Sequence, residues 1–459
     1  MSFSSDCPPR TPHSQIGPRS KPTLALAVWI GGILMAQAGV MWFNPSSFVD
    51  DPDAYRRIAW TLDQSGVFGV MWPESEAKPT AFRPPLYPIL LSTITTKASD
   101  ATIAALPRWR IGTLHLLLNA ITLICVAAIS AEHFGRVSAG LACLLIGIDP
   151  ILLRQSTLVM TEPLATALTA WTLWWWMRRP AETAGSRWVR SLIIASTLGL
   201  AFLCRPTFLV WAFLLASVAW IELPRRTAII RCGVIAAVML VTVGAWTYRN
   251  LRVMGHPVWA TTHGGYTILL GNNRFFYDYL SEPFSWTAWD ATPFLNAYSD
   301  RHDASLSTAD LWQIPPESVS PLPENASEID EDRWAGDVAK ATITSRPSMF
   351  AWACGVRLMR LWSPVPLSTR DRSTLGLAVI SAYYVIFGVL FLVSMVRHKG
   401  RLFGAPWLAI WAMVLALSAV HSVYWSNLRM RTPAMPGLAV IAAGSIARST
   451  ALTRREDDR

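Results

Sequence analysis

Four uncharged stretches, at residues 23–43, 111–130, 375–396 and 405–424, each come close to the ~20 residues a helix needs to cross the hydrocarbon core of a bilayer. A chain carrying four such runs has lipid as its solvent. Backbone polar groups in lipid must bond within their own segment, so these runs predict helices. The composition agrees, since 52% hydrophobic and 15% charged residues with a mean hydropathy of +0.32 are too apolar for a soluble enzyme of 459 residues. Shorter or interrupted apolar runs follow at 137–153, 163–177, 191–204, 206–221, 232–246 and 433–446, where tilt, local thinning or aromatic flanks must complete the crossing. The fold class expected is an all-α polytopic membrane protein of about ten transmembrane helices, with an amphipathic first outer loop and one larger extracytoplasmic loop domain.

Basic clusters fall between every second pair of runs, as the positive-inside rule requires of a correct set. They are Arg10, Arg19 and Lys21; His133 and Arg136; Arg178, Arg179, Arg187 and Arg190; Arg225, Arg226 and Arg231; Arg397, Lys399 and Arg401; and Arg448, Arg454 and Arg455. This pattern is that expected of a multi-pass cell (inner) membrane protein with both termini in the cytoplasm and its two longest loops facing the periplasm or exterior. The chain then divides into a cytoplasmic tail (1–22), a transmembrane catalytic region (23–247) with a first outer loop at 44–110, an extracytoplasmic loop domain (248–352), a C-terminal transmembrane region (353–447) and a cytoplasmic tail (448–459). The run at 23–43 is too long for a signal-peptide core and reads as a retained first span. The net charge of +10 is spread over these clusters rather than gathered on one face, which speaks against a nucleic-acid partner. Six cysteines, mostly inside apolar segments and without CxxC spacing, imply neither disulfides nor zinc.

Chemistry is expected at the outer face. Asp50-Asp51-Pro52-Asp53 precedes Ala54, Tyr55, Ile58, Ala59 and Leu62, an apolar face at helical spacing. Asp51 suits the cap of that helix, Pro52 its first position and Asp53 the positive end of its dipole. A carboxylate beside the bilayer also suits a general base for an acceptor hydroxyl, and the two roles can fall to different aspartates. Hard oxygen ligands cluster here, so a divalent cation is compatible, but no cofactor is expected and no His or Cys stands near to suggest zinc. Further on, the prolines of Thr80-Ala81-Phe82-Arg83-Pro84-Pro85-Leu86-Tyr87-Pro88 stiffen the backbone around Arg83, which suits either an interfacial arginine or a partner for a lipid phosphate. Glu162 before Pro163 reads as a helix start capped by Thr161. Arg205, Arg249, Arg429 and Arg431 are outer-face cations at span ends, and Arg205 and Arg431 run against the positive-inside bias. His256, His263 and His421 stand alone and read as packing residues; no Walker loop, G-x-G-x-x-G or G-x-S-x-G is present.

Taken in order, Asp51-Pro52-Asp53-Ala54-Tyr55, Arg83-Pro84-Pro85-Leu86-Tyr87-Pro88, Thr161-Glu162-Pro163-Leu164, Leu203-Cys204-Arg205-Pro206-Thr207, Tyr248-Arg249-Asn250, Gly271-Asn272-Asn273 and Arg429-Met430-Arg431-Thr432-Pro433 resemble the GT-C fold, multi-pass glycosyltransferases of the protein mannosyltransferase and aminoarabinose transferase superfamily (glycosyltransferase family 39-like). The resemblance implies inverting transfer of a sugar from a polyprenyl-phosphate donor to a glycan, lipid or protein acceptor, with membrane lipids as the other partners. It also implies an acidic base in the first outer loop. Asp51, four residues before Tyr55, best matches that acid, with Asp50 and Asp53 as flanking alternatives; relatives often carry Glu where this chain has Pro52. Arg83 falls where relatives place a basic residue before Pro-Pro, and Arg249, Arg205 and Arg431 are the further candidates for donor phosphate. Residues 266–334 are the expected acceptor contacts. The rival reading is a polyprenyl-lipid or glycolipid transporter or flippase, but no paired broken helices mark two halves, and the candidate site charges cluster at one membrane face rather than at the midplane. An inactive assembly scaffold is a third reading, in which the outer Asp and Arg residues would be replaceable.

Overall fold

The computed structural model describes residues 24–71, 75–178, 183–282, 287–303, 305–367 and 373–447. The two expected tails, and with them Arg10, Arg19, Lys21, Arg448, Arg454 and Arg455, lie outside the described residues, as does Arg179.

The first half comprises α1 (Leu24–Phe43), α2 (Tyr55–Ser65), a short antiparallel pair β1 (Gly69–Val70) and β2 (Lys78–Pro79), α3 (Leu86–Ser92), α4 (Arg108–Phe134), α5 (Arg136–Gly147), α6 (Pro150–Ser156), α7 (Glu162–Met177), α8 (Ala184–Cys204), α9 (Phe208–Glu222) and α10 (Arg225–Met254). The second comprises α11 (Gly264–Gly271), α12 (Arg274–Ser281), α13 (Thr292–Ser299), α14 (Thr308–Trp312), α15 (Glu328–Ser345), α16 (Pro347–Trp362), α17 (Thr374–His398), α18 (Leu408–Val423) and α19 (Met435–Ala443).

Every apolar run read from the sequence is mostly helical, but length separates them. Five helices, α1, α4, α8, α10 and α17, are long and apolar enough to cross a membrane, and α5 with α6 makes a sixth if the bent pair is one span. The helices α9 and α18 are apolar but shorter, so the described helices do not reach the expected ten by length and composition. Residues 137–153, expected as one run, are broken by a bend of 57° between α5 and α6. Pro150 has no N–H to continue a helix, and Asp149 Oδ1 accepts the N–H groups of Ile151 and Leu152, so a new helix starts there. One apolar core joins the long helices, with α4 against α5 and α7, α8 against α10, and α17 against α19.

Between α10 and α16 the larger loop is a helical unit. The helices α11 to α15 enclose their own core of Leu269, Phe294, Trp312, Trp334 and Val338. Their boundaries are also narrower than 248–352, because α10 continues to Met254 and α16 begins at Pro347. At the crossing of α11 and α15, Gly265 donates its N–H to Asp332 Oδ1 at 2.6 Å, and a Cβ on Gly265 would stand 1.7 Å from the Asp332 carbonyl oxygen. Overpacking there must push the two helices apart, so Gly265→Ala is expected to lower stability by about 3 kcal/mol, read as a lower thermal midpoint with the membrane helices unchanged in circular dichroism.

Candidate active site

Helix α2 starts later than the sequence predicts. Ala54 takes a left-handed conformation at φ 58° and the helix opens at Tyr55, so Pro52 lies before it rather than in its first position. Asp51 nonetheless caps it from a distance: Oδ2 accepts the N–H of Arg56 at 3.0 Å and of Arg57 at 3.3 Å. Its other oxygen, Oδ1, is buried and has no hydrogen-bond partner among the described residues. Burial pushes the Asp51 carboxyl above the ordinary aspartate value of 3.8, against the opposing pull of the Arg56 N–H and guanidinium. Asp53 differs, since its Oδ1 lies 2.7 Å from Arg83 Nη2 and its carbonyl accepts Arg83 Nε at 3.0 Å. Asp50 is exposed. The three aspartates thus have three environments, and Asp51 alone combines burial with an unbonded oxygen.

Arg83, expected to meet a phosphate, is engaged by Asp53 and lies over the rings of Phe82 and Tyr55 at 4.3 and 5.8 Å. His263 stacks on Tyr266 and meets Phe82 edge-on, the packing role expected of it. Burial, with Arg83 nearby, holds its imidazole at about 3, so it is neutral at physiological pH. Behind this group Tyr87 donates its O–H to His115 Nε2 at 2.8 Å, which fixes His115 Nδ1–H as donor to the Ser156 carbonyl at 2.9 Å.

Two further arginines expected at a phosphate also bind protein. Arg249 Nη1 donates to the Thr80 carbonyl at 2.7 Å and Nη2 to the Phe68 carbonyl at 2.5 Å, clamping the end of the β1–β2 pair. Beside it Glu328, at the start of α15, accepts from Thr80 Oγ1, the Ala81 N–H and Thr262 Oγ1, tying the α11–α15 domain to the segment between α1 and α4. Arg205 Nη2 stands 2.9 Å from Glu162 Oε1, and its Nε and Nη2 donate to Thr161 Oγ1 at 2.9 and 2.8 Å. Thr161 therefore makes no side-chain cap to α7, contrary to expectation, because its hydroxyl serves Arg205. Glu162, 1% exposed, has a second cation in Arg429, whose Nε lies 3.8 Å from Oε1. Arg431 is buried against the Leu361 and Ser363 carbonyls.

The open space lies next to these groups. A cavity of about 370 Å³ is lined by Pro52, by Ile151, Arg154 and Gln155 of α6, by Trp289, by Arg360 and Ser363, and by Trp425 to Arg429. Three guanidinium groups face it and no carboxylate does among its described lining residues. Arg360 Nη2 donates to Tyr279 Oη at 2.8 Å, while Trp289 and Trp425 form an aromatic wall with ring centroids 5.6 Å apart. Pro52 at the rim puts Asp51 one residue from the lining. Such a site can hold an anion with an apolar tail. No group of three or more His, Cys, Asp or Glu residues is placed to hold a metal ion among the described residues. Sequence reasoning named Arg429 but missed Arg154, Arg360 and the two tryptophans. Arg154 lies just past an apolar run and Arg360 inside a helix that reads as ordinary amphipathic surface.

Residues 83–246 match the family model for dolichyl-phosphate-mannose-protein mannosyltransferase, which bears out over that length the resemblance drawn from the motifs. The matched segment takes in Arg83, Glu162 and Arg205 and stops short of Asp51, Arg360 and Arg429. No curated protein is significantly similar to the chain in sequence. Among solved structures, ArnT from Cupriavidus metallidurans bound to undecaprenyl phosphate is 14% identical, with 93% of this chain and 78% of that one covered at a TM-score of 0.40. The oligosaccharyltransferase AglB from Archaeoglobus fulgidus, in complex with an inhibitory peptide and a dolichol-phosphate, is 16% identical, with 95% and 52% covered at 0.47. The chain spans about half the length of the archaeal protein. Both TM-scores fall below 0.5, too low for the likeness to decide the fold.

Proposed function

We propose, with the family match over residues 83–246 as premise, that this is a membrane glycosyltransferase moving a sugar from a polyprenyl-phosphate donor to an acceptor at the outer face of the bilayer, with inversion. The observation that carries the reading is the cavity between α6, α16 and the α11–α15 domain, with three arginines and no described carboxylate in its wall and Asp51 next in sequence to the lining residue Pro52. The reading keeps ten crossings, with α7, α9, α18 and the α19 segment as short ones and both termini inside.

The donor's phosphate sits among Arg154, Arg360 and Arg429, and its polyprenyl chain leaves toward the bilayer. The acceptor oxygen attacks the anomeric carbon in line as Asp51 Oδ1 takes the hydroxyl proton; the bond from that carbon to the phosphate oxygen breaks, and polyprenyl phosphate leaves with the electron pair. The charge that develops on the phosphate is what the guanidinium groups stabilise. Arg83 and Arg249, which the sequence put at the phosphate, fix the loop that presents Asp51, and Arg205 anchors Glu162. An outer-face enzyme has no cytoplasmic nucleotide sugars to use, so it needs no nucleotide-binding domain. The acceptor is read by the α11–α15 domain, within residues 266–334.

Two results follow from this arrangement. Arg360→Ala, in a side chain 6% exposed, is expected to lower kcat/KM for the donor by about 10²-fold, measured by release of polyprenyl phosphate; an unchanged value would remove Arg360 from the phosphate. Asp51 works only when ionised, so kcat/KM should rise with pH through its raised pKa and level off above it. The acid limb should therefore lie above the ordinary aspartate value of 3.8. The sign for stability is opposite: the folded chain holds this proton more tightly than the unfolded one, so ionising Asp51 costs stability as pH rises through the same window.

A further inference from the structure

Arg431 lies behind the cavity rather than in its wall. It is 4% exposed, and its Nη1 donates to the carbonyls of Leu361 at 3.2 Å and Ser363 at 2.7 Å. Its guanidinium carbon stands 4.1 Å from the centre of the Tyr384 ring. The Tyr384 hydroxyl donates at 2.8 Å to Asp149 Oδ1, the same oxygen that starts α6 by accepting the N–H groups of Ile151 and Leu152. Arg431 is near enough to act electrostatically on the fully buried Asp149. Three segments remote in sequence thus meet: the α5–α6 break, α17 and the turn before α19.

Two members of this group, joined by Tyr384, stand close in the chain to cavity cations or to their neighbours. Asp149 begins α6, which carries Arg154. The carbonyls held by Arg431 follow Arg360 directly, and Arg431 itself comes two residues after Arg429. A buried acid and base among membrane helices are expensive, and replacing such groups by apolar residues of similar size is often neutral or stabilising. Asp149 Oδ2 and Arg431 Nε and Nη2 also lack hydrogen-bond partners among the described residues, so the group does not maximise stability. What it does supply is a common reference for three walls.

We propose that Asp149, Tyr384 and Arg431 are positioning residues that set the spacing of Arg154, Arg360 and Arg429 around the donor phosphate; the inference rests on the cavity's being the phosphate site. Tritiated farnesyl monophosphate, a short donor-phosphate mimic, is bound to the full-length protein in nanodiscs, with empty nanodiscs subtracted. Tyr384→Phe deletes one hydroxyl and keeps the ring under Arg431, so the helix bundle should stay folded. It should weaken binding about tenfold, and Asp149→Asn should do the same, while Arg154→Ala weakens it more, by about 10²-fold. Because the hydroxyl acts through the wall, Tyr384→Phe added to Arg154→Ala should cost less than about threefold more. In turnover, Tyr384→Phe should raise the donor KM and leave kcat within about threefold of wild type.

Binding by Tyr384→Phe and Asp149→Asn within about twofold of wild type, with Arg154→Ala impaired, would overturn the positioning role, and so would effects that multiply in full in the double variant. Wild-type affinity in Arg154→Ala would instead overturn the cavity reading and this inference with it.

Discussion

Asp51→Asn is expected to lower kcat for sugar transfer by about 10³-fold and to leave the fold in place. The separation is possible because Asp51 has two oxygens with two occupations. An asparagine carbonyl can still accept the N–H groups of Arg56 and Arg57, so the start of α2 survives. What disappears is the anionic oxygen at the position of Oδ1, which has no other bond among the described residues. Asp53→Asn should be milder, since that carboxylate already neutralises Arg83 and its loss acts on the loop's position. Asp50, exposed, should tolerate the change. Single-turnover transfer by the three variants, beside their thermal midpoints, checks the order; near-normal turnover in Asp51→Asn would sink its assignment as the base.

Glu162→Ala is expected to be the most destabilising change in the membrane region, at about 3–5 kcal/mol. Glu162 is buried between two guanidinium groups, Arg205 at 2.9 Å and Arg429 at 3.8 Å, and removing it leaves two cations facing each other away from water. Arg429 would also lose the group that holds it beside the cavity, so activity should fall with stability. An exposed pair such as Lys340 and Asp337 should behave differently, because solvent screens it and its loss should not register. Unfolding of the purified variants in denaturing detergent gives the comparison; a Glu162→Ala protein as resistant as wild type would mean that the buried triad does not hold this part of the fold.

The helices were legible because lipid imposes one answer on an apolar run, and residues 23–43, 111–130 and 375–396 recur as α1, α4 and α17 with boundaries nearly unchanged. The break at Asp149-Pro150 was not read from the sequence, where 137–153 stood as one run, because composition alone does not register a bend. Between α10 and α16 the acidic, Trp-rich stretch hides five helices whose stability is tertiary: Trp312 and Trp334 meet edge to face across more than twenty residues of chain. At the site, Asp51 was visible as an acid at a membrane edge. The partners of the arginines were not, since neither the Arg249 clamp on two carbonyls nor Glu328 reaching Thr80 over 248 positions leaves a trace in spacing. Charge at a span end marks a candidate site; which arginine faces the cavity and which holds the wall depends on packing.

The most direct test is sugar transfer from a panel of labelled polyprenyl-phosphate sugars by the purified protein in nanodiscs, supplied with cell-envelope acceptor, wild type beside Asp51→Asn. Transfer from at least one donor, with release of polyprenyl phosphate and inversion at the anomeric carbon, all lost in Asp51→Asn, is the predicted result. No transfer from any donor, together with movement of the intact lipid between leaflets of liposomes, would contradict the account and make the protein a transporter.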